Sequence, residues 1–157
     1  MEQKLEALPG RLGRGERLMG LDLGSETIGV AVSDPGFSIA TPVETIRRTK
    51  FKADAERLKA LIEERQAGAL VYGLPVNMDG TEGPRCQSVR EFAREFDKRC
   101  PRPYAFWDER LSTAAVQRML IDEADMSRKR RAEVVDRAAA AYILQGALDA
   151  LAQRSGR

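Results

Sequence analysis

The pattern of apolar residues changes once along this chain of 157 residues, and that change limits the folds that it can adopt. Three β-type runs joined by short polar turns come first, at Leu18–Leu23, Ile28–Ser33 and Phe37–Ile46. Apolar runs joined by such short turns are typical of antiparallel strands. The chain is therefore predicted to begin its folded part with a β-meander.

Helical and β-type segments alternate after the meander. This alternation predicts an α/β domain in the order βββαβαβαα, with a mixed five-stranded sheet whose later strands are parallel and whose faces are flanked by helices. In open sheets of this kind, functional sites form at the carboxyl ends of the strands. The predicted segments are helices over Lys50–Gln66, Arg85–Arg99, Ser112–Glu123 and Arg131–Ala152, and strands at Ala69–Gly73 and Pro103–Trp107.

Length and composition indicate one domain in a reducing compartment. Residues 1–16 mix charged side chains with one proline and three glycines and show no sustained period, so they are interpreted as a flexible N-terminal extension of a single domain over residues 17–157. No apolar run approaches the roughly 20 residues that cross a bilayer. The two cysteines, Cys86 and Cys100, are too few for a disulfide-stapled secreted domain. A cytoplasmic location is expected, without a membrane partner.

The chain contains no histidine. This excludes Ser-His-Asp and Cys-His catalysis and nearly every zinc site, so an enzyme built on this sequence has to use carboxylates. The 26 basic residues nearly balance the 24 acidic ones, and the net charge of +2 does not by itself indicate a polyanionic partner. The distribution of the charges has to decide that question.

Asp22 lies inside an apolar strand, between Leu21 and Leu23. Acids are depleted in such strands, because burying a carboxylate costs free energy unless another group compensates its charge. A metal ion is one such compensator. The alternative is structural: the carboxylate of Asp22 could accept hydrogen bonds from the amides of the following turn.

Asp136 belongs to an apolar stripe of the final helix and is predicted to face the sheet. Four small residues, Ala138–Ala141, would let this helix approach the sheet closely and bring Asp136 near Asp22. The alternative is an acid near a helix start, favoured by the helix dipole and paired with Arg131 or Arg137. The other residues of the stripe are Ala132, Ala139, Ala140, Ile143 and Ala147.

Asp108 and Glu109 end the fifth predicted strand and point to opposite faces, so only one of them can join such a cluster directly. Glu109 is favoured, with Asp108 as an auxiliary acid and Arg110 available for a phosphate. Asp22, Glu109 and Asp136 would then form an oxygen-only pocket suited to Mg²⁺ or Mn²⁺, which can support phosphodiester hydrolysis. The alternative for the strand-end acids is a solvated turn.

The densest positive run directly precedes the acid of the final helix, and the helix dipole disfavours cations at a helix start. We therefore interpret the run as a clamp for a nucleic-acid backbone beside the acids. The alternative is a solvated helix start. The residues of this run are Arg128, Lys129, Arg130 and Arg131.

Five short motifs lie at the strand ends and on the final helix. They are Gly20-Leu21-Asp22-Leu23-Gly24, Gly29-Val30-Ala31-Val32-Ser33-Asp34, Gly73-Leu74-Pro75, Asp108-Glu109-Arg110-Leu111-Ser112-Thr113 and Val135-Asp136-Arg137-Ala138-Ala139. The first motif alone is weak, because Asp-x-Gly strands also occur in sugar kinases and actin-like ATPases. In combination, from about Leu18 to Ala150, the chain resembles the YqgF family, also called RuvX, of the RNase H-like superfamily.

The resemblance implies an RNase H-like fold and a role in maturing the 5′ end of precursor 16S ribosomal RNA during ribosome biogenesis. The relationship of that family to RuvC resolvases implies cleavage of four-way DNA junctions as an alternative. The family's acids correspond to Asp22, Glu109 and Asp136. RuvC-like resolvases carry an acid at the end of the fourth strand, where this chain has Gly73-Leu74-Pro75, and the acid of strand five substitutes for it.

Three hypotheses follow. The first is a metal-dependent nuclease acting on structured RNA. The second is a junction-resolving DNase acting on branched DNA, which would need two active sites and therefore a homodimer rather than a monomer. The third is a non-catalytic nucleic-acid-binding or assembly protein, whose affinity would not depend on Asp22.

Overall fold

The computed structural model of the chain describes residues 1–111 and 128–154, and in the second range it describes side chains from residue 138 onward. The strands are β1 (Arg17–Leu23), β2 (Thr27–Ser33), β3 (Ala40–Arg47), β4 (Ala67–Leu74) and β5 (Tyr104–Asp108). The helices are α1 (Phe51–Arg65), α2 (Pro84–Arg99) and α3 (Arg128–Arg154), and short 3₁₀ turns span Leu5–Ala7, Pro9–Arg11 and Glu109–Leu111.

The five described strands form one mixed sheet in the order β3-β2-β1-β4-β5. The meander β1-β2-β3 is antiparallel, whereas β1, β4 and β5 run parallel to one another. The predicted α/β class and mixed five-stranded sheet are therefore confirmed. The predicted helix over Ser112–Glu123 lies outside the described residues. The final helix begins at Arg128, earlier than predicted.

The sheet separates two apolar cores of different character. The face covered by α1 and α2 packs large side chains, including the buried rings of Tyr72 and Phe96. The opposite face, covered by α3, packs many small residues, such as Ala69 and Ala140. Successive strand residues alternate between these two cores. None of the helices that the structure describes is long and apolar enough to cross a membrane.

Glycines on β1 and on α3 let this helix lie close to the sheet. A Cβ atom built on Gly20 of β1 would lie 2.7 Å from the Cβ of Leu144 and 3.1 Å from the carbonyl oxygen of Ala140. On α3 itself, a Cβ on Gly146 would lie 2.9 Å from Nε1 of Trp107. The close approach predicted from the run of alanines is therefore confirmed.

All three described helices begin at the edge of the sheet where β1, β4 and β5 end, which we call the carboxyl edge. Helix α1 follows the end of β3, and the last residue of β3 pairs with the first residue of β2 at this edge. Helix α2 follows β4. Arg154, at the end of α3, pairs with Glu6 in the first 3₁₀ turn, which lies beside β5. Helix α3 also contacts the turn at Glu109–Leu111, so it too starts at the carboxyl edge.

The N-terminal segment is packed on the domain, unlike the flexible extension that the sequence predicted. The backbone N–H of Gln3 donates to the carbonyl of Tyr104, and the N–H of Tyr104 donates to the carbonyl of Met1. Leu5 and Leu8 are buried among the residues that pack under α3. The two 3₁₀ turns are too short to show the repeated apolar pattern by which a helix is identified in a sequence, which explains the difference.

The packing of Leu8, which is fully buried, makes a testable contribution to stability. We expect Leu8→Ala to lower the free energy of unfolding by about 2–4 kcal/mol, because it opens a cavity in the core under α3. Urea denaturation measures this loss. Ile39→Ala is the matched control, because Ile39 is exposed and its truncation should change stability by about 0.5 kcal/mol or less. Equal stabilities of the two variants would contradict the docking of this segment.

Candidate active site

Asp22 is the last but one residue of β1 and lies on the face covered by α3. It shares this face with Leu18 and Gly20, because side chains two residues apart point the same way. Leu21 pairs with Tyr72 of β4, so Asp22 lies at the height of Gly73 on the neighbouring strand. The side chain is partly buried. The central strand of the sheet, β1, therefore positions a carboxylate at the carboxyl edge.

Glu109 follows β5 directly, as the first residue of a 3₁₀ turn. Its side chain lies over Gly73, where an added Cβ would be 2.8 Å from Oε1 of Glu109 and 2.5 Å from Cδ1 of Ile143. A hydrogen bond joins the carboxyl groups of Glu109 and Asp22. Acids from β1 and from the end of β5 thus meet across the intervening strand β4.

The electrostatics of Glu109 fit a cation-binding position. Burial raises the pKa of Glu109, and the neighbouring charge of Asp108 also raises it, whereas the hydrogen bond with Asp22 and the positive charge of Arg85 lower this pKa. Two carboxyl groups in contact either share a proton or hold a cation. Without a cation, the stability that protonated Glu109 provides is lost as the pH rises through its pKa in the folded protein.

Asp108 has a different partner from Glu109, in line with the alternation of side chains along β5. Its carboxylate accepts hydrogen bonds from the backbone N–H, Nε and Nη2 of Arg110, the last at 2.7 Å, and this pairing lowers the pKa of Asp108. Arg110 also donates from Nη1 to the carbonyl oxygen of Met78 at 3.3 Å. The sequence predicted that Arg110 is available for a phosphate. In the structure its guanidinium links the loop after β4 to the end of β5.

Arg48 is a contributor that the sequence did not reveal. Its Nη1 donates to the carbonyl oxygen of Gly24, in the turn that follows Asp22, and its backbone N–H donates to the carbonyl of Glu26. Its guanidinium lies 5.7 Å from the ring centre of Phe92 on α2. Arg48 thus fixes the turn beside Asp22. No local pattern could have revealed this, because Arg48 and its partners come from three separate segments of the chain.

The described side chains supply two of the three predicted acids. Asp136 lies in the helical backbone of α3, one turn before Ala140, and its side chain lies outside the described residues. The same holds for the side chains of the predicted clamp at residues 128–131. Among the side chains that are described, no three potential metal ligands cluster together. The buried members of the α3 stripe include Ala140 and Ile143, as the sequence pattern predicted.

Comparison with solved structures identifies the fold. RuvC from T. thermophilus, solved in complex with a Holliday junction substrate, superposes with a TM-score of 0.56 at 13% sequence identity, covering 90% of this chain and 96% of that one. The yeast mitochondrial Holliday junction resolvase Ydc2 gives a TM-score of 0.54 at 14% identity, covering 97% and 86%. The chain therefore has the RNase H-like fold.

Sequence comparison identifies the family. Residues 16–150 match the family described as "RuvX: Holliday junction resolvase". A protein of Rhodospirillum centenum named "Putative pre-16S rRNA nuclease" is 63% identical over 157 residues, covering 96% of this chain and 82% of that protein. One of Roseobacter denitrificans with the same name is 65% identical over 134 residues, covering 84% and 82%. The chain belongs to the RuvX family.

The space over Gly73 can be tested by filling it. We expect Gly73→Ala to cost about 1–3 kcal/mol of stability, because the new methyl group collides with Glu109 and Ile143, and to displace the carboxylate of Glu109 from Asp22. Urea denaturation and assays of nucleic-acid cleavage measure the two effects. Gly10→Ala is the control, because a Cβ there meets no atom within 4 Å. A fully stable and active Gly73→Ala protein would contradict this arrangement.

Proposed function

We propose that this chain is a divalent-metal-dependent nuclease that processes the 5′ end of precursor 16S ribosomal RNA in the cytoplasm. The observation that carries the proposal is the contact between the carboxyl groups of Asp22 and Glu109 at the carboxyl edge. The name shared by relatives that are more than 60% identical supports the ribosomal RNA substrate. With no histidine in the chain, carboxylates are the groups available for the chemistry.

The residues at this edge fit a divalent metal ion. Asp22 and Glu109 offer only oxygen atoms, the ligands that Mg²⁺ and Mn²⁺ prefer, and a cation would relieve the proximity of two carboxylates. Asp136 is proposed as the third ligand, on its place in the stripe of α3. Bound there, the metal would supply an activated water and stabilise the leaving oxygen of a phosphodiester.

The protein's own residues orient this site and hold the substrate. Asp22 is held by a central strand, and the turn that follows it is held by Arg48. Glu109 is held in a turn whose next residue, Arg110, is bonded to Asp108 and to the loop after β4. The clamp at residues 128–131 is proposed to bind backbone phosphates beside the acids.

A second candidate is cleavage of four-way DNA junctions, which the family description and the fold of RuvC favour. Resolution of a junction cuts two strands, so it requires two active sites and a homodimer. A nuclease that trims one RNA strand can act as a monomer. The oligomeric state of the purified protein in solution therefore bears directly on this alternative.

The decisive experiment offers both substrates to one preparation. Purified protein is incubated with precursor 16S ribosomal RNA and with a synthetic four-way DNA junction, each with Mg²⁺, Mn²⁺ or a chelator. We expect metal-dependent shortening of the RNA at its 5′ side that disappears in Asp22→Asn. Cleavage confined to the junction would support the DNase. Binding without cleavage, unaffected by Asp22→Asn, would support an assembly protein and overturn the proposal.

The proposed metal site also has a signature that needs no substrate. In chelator, Asp22→Asn should melt above the wild type, because it keeps the shape of the side chain and removes one of two adjacent charges. A saturating metal should raise the melting temperature of the wild type by about 5–10 °C and that of the variant far less. Thermal melts with and without Mn²⁺ measure both effects.

Asp54 provides the control for this comparison. It is a buried aspartate whose carboxylate accepts a hydrogen bond from the backbone N–H of Thr49 at 3.1 Å. Asp54→Asn should lower the melting temperature by the same amount with and without metal. If Asp22→Asn behaves in this way too, Asp22 has a structural role and the metal site is not where we propose it.

A further inference from the structure

Cations stand at the starts of all three helices that the structure describes. Lys50 precedes α1 and Lys52 is its second residue, Arg85 is the second residue of α2, and α3 begins with the run at residues 128–131. The positive end of a helix dipole disfavours a cation there and favours an acid. Helix stability therefore does not explain this arrangement.

Acids do not offset these charges at the starts of the described helices. No acidic residue lies in the first turn of α2 or in that of α3. The first turn of α1 contains Asp54, but this carboxylate is buried and faces Thr49. Each described helix thus begins with a net positive charge at the carboxyl edge.

Three of these cations have no bonded partner in the part of the chain that the structure describes. Among the described side chains, those of Lys50, Lys52 and Arg85 form no ion pair or hydrogen bond, and all three residues are exposed. Other arginines near α1 and α2 are engaged: Arg57 pairs with Glu44, and Arg90 pairs with Glu82 at 2.8 Å. We call Lys50, Lys52 and Arg85 the helix-start cations.

The helix-start cations lie across the sheet from the clamp at residues 128–131. Helices α1 and α2 cover one face of the sheet, whereas α3 covers the other. The acids Asp22 and Glu109 lie on the face covered by α3, at the edge where all three helices begin. Arg85 is near enough to Glu109 for its charge to act on that carboxylate.

We propose that the helix-start cations form a second phosphate-binding surface, which holds the backbone of the nucleic acid on the α1 and α2 side of the acids while the clamp at residues 128–131 holds it on the other side. This inference rests on the proposed function and specifies how the substrate lies. A substrate bound in this way crosses the carboxyl edge and is held on both sides of the scissile bond. A structured substrate, such as a duplex next to a single-stranded segment, meets this requirement.

The test removes these three charges and compares the result with the removal of three charges elsewhere on the same helices. The test variant is Lys50→Gln/Lys52→Gln/Arg85→Gln. The control variant is Lys59→Gln/Arg65→Gln/Arg94→Gln, because these exposed residues lie further along α1 and α2. Fluorescence anisotropy with a labelled RNA duplex, over a range of salt concentrations and in an Asp22→Asn background, measures binding without cleavage.

We expect the test variant to bind on the order of tenfold more weakly at moderate salt, with its log-log salt slope flattened by roughly 0.9 for each phosphate that it no longer neutralises. The control variant should retain most of the affinity. The melting temperature of the test variant should be equal to or above that of its parent, since the helix dipole disfavours the cations it removes. That readout separates weak binding from poor folding.

Other outcomes overturn specific claims. If the test variant binds with the affinity and slope of its parent while neutralising residues 128–131 weakens binding, the second surface does not exist and the proposed function stands. Equally weakened binding by the test and control variants would show that only net charge matters, which also overturns the inference. If the parent protein binds neither duplex nor junction, both the inference and the proposed function fail.

Discussion

The contact between the carboxyl groups of Asp22 and Glu109 sets strict requirements on the sheet around it. The two acids come from β1 and β5, which are not neighbours, because β4 lies between them. They meet only because the three strands are parallel in the observed register and because Gly73 has no side chain to occupy the space between them. The end of β4 carries no acid, and the side chain of Glu109 reaches over it at Gly73.

The need for space around the two carboxyl groups also explains why the two faces of the sheet differ. On the side of α1 and α2, large rings fill the core, and Tyr72 contacts Phe92 and Tyr104 edge to face. That core can supply most of the apolar burial that stabilises the domain. On the side of α3, Gly20 and Gly73 leave room for a helix and for the side chain of Glu109. The large rings of the core and the pair of carboxyl groups therefore lie on opposite faces of the sheet.

Much of the fold and part of the site followed from the sequence, because both rest on local periods. The strands of the sheet and the separation of Asp108 from Glu109 onto different sides come from strand alternation, which is encoded within a few residues. The roles of Arg48 and Arg110 depend on contacts with residues distant in sequence, Gly24 and Met78. The periodicity of apolar residues therefore gives no sign of these roles. The docking of the N-terminal segment had a weak signal, since Leu5, Leu8 and Leu12 are spaced by three and four residues as in a helical turn.

Segregation of charge reconciles a nearly neutral chain with a polyanionic partner. Acids and bases almost balance in number, but several described arginines, among them Arg57, Arg90 and Arg110, are neutralised locally by a carboxylate. A ligand meets the remaining charges, and in the arrangement that we propose these are the helix-start cations and the clamp on either side of Asp22 and Glu109. A phosphate backbone is attracted to the surrounding cations, yet it can approach the acids only when a metal ion offsets their charge. Binding and cleavage would then depend on separate groups, so an empty metal site need not abolish affinity for the nucleic acid.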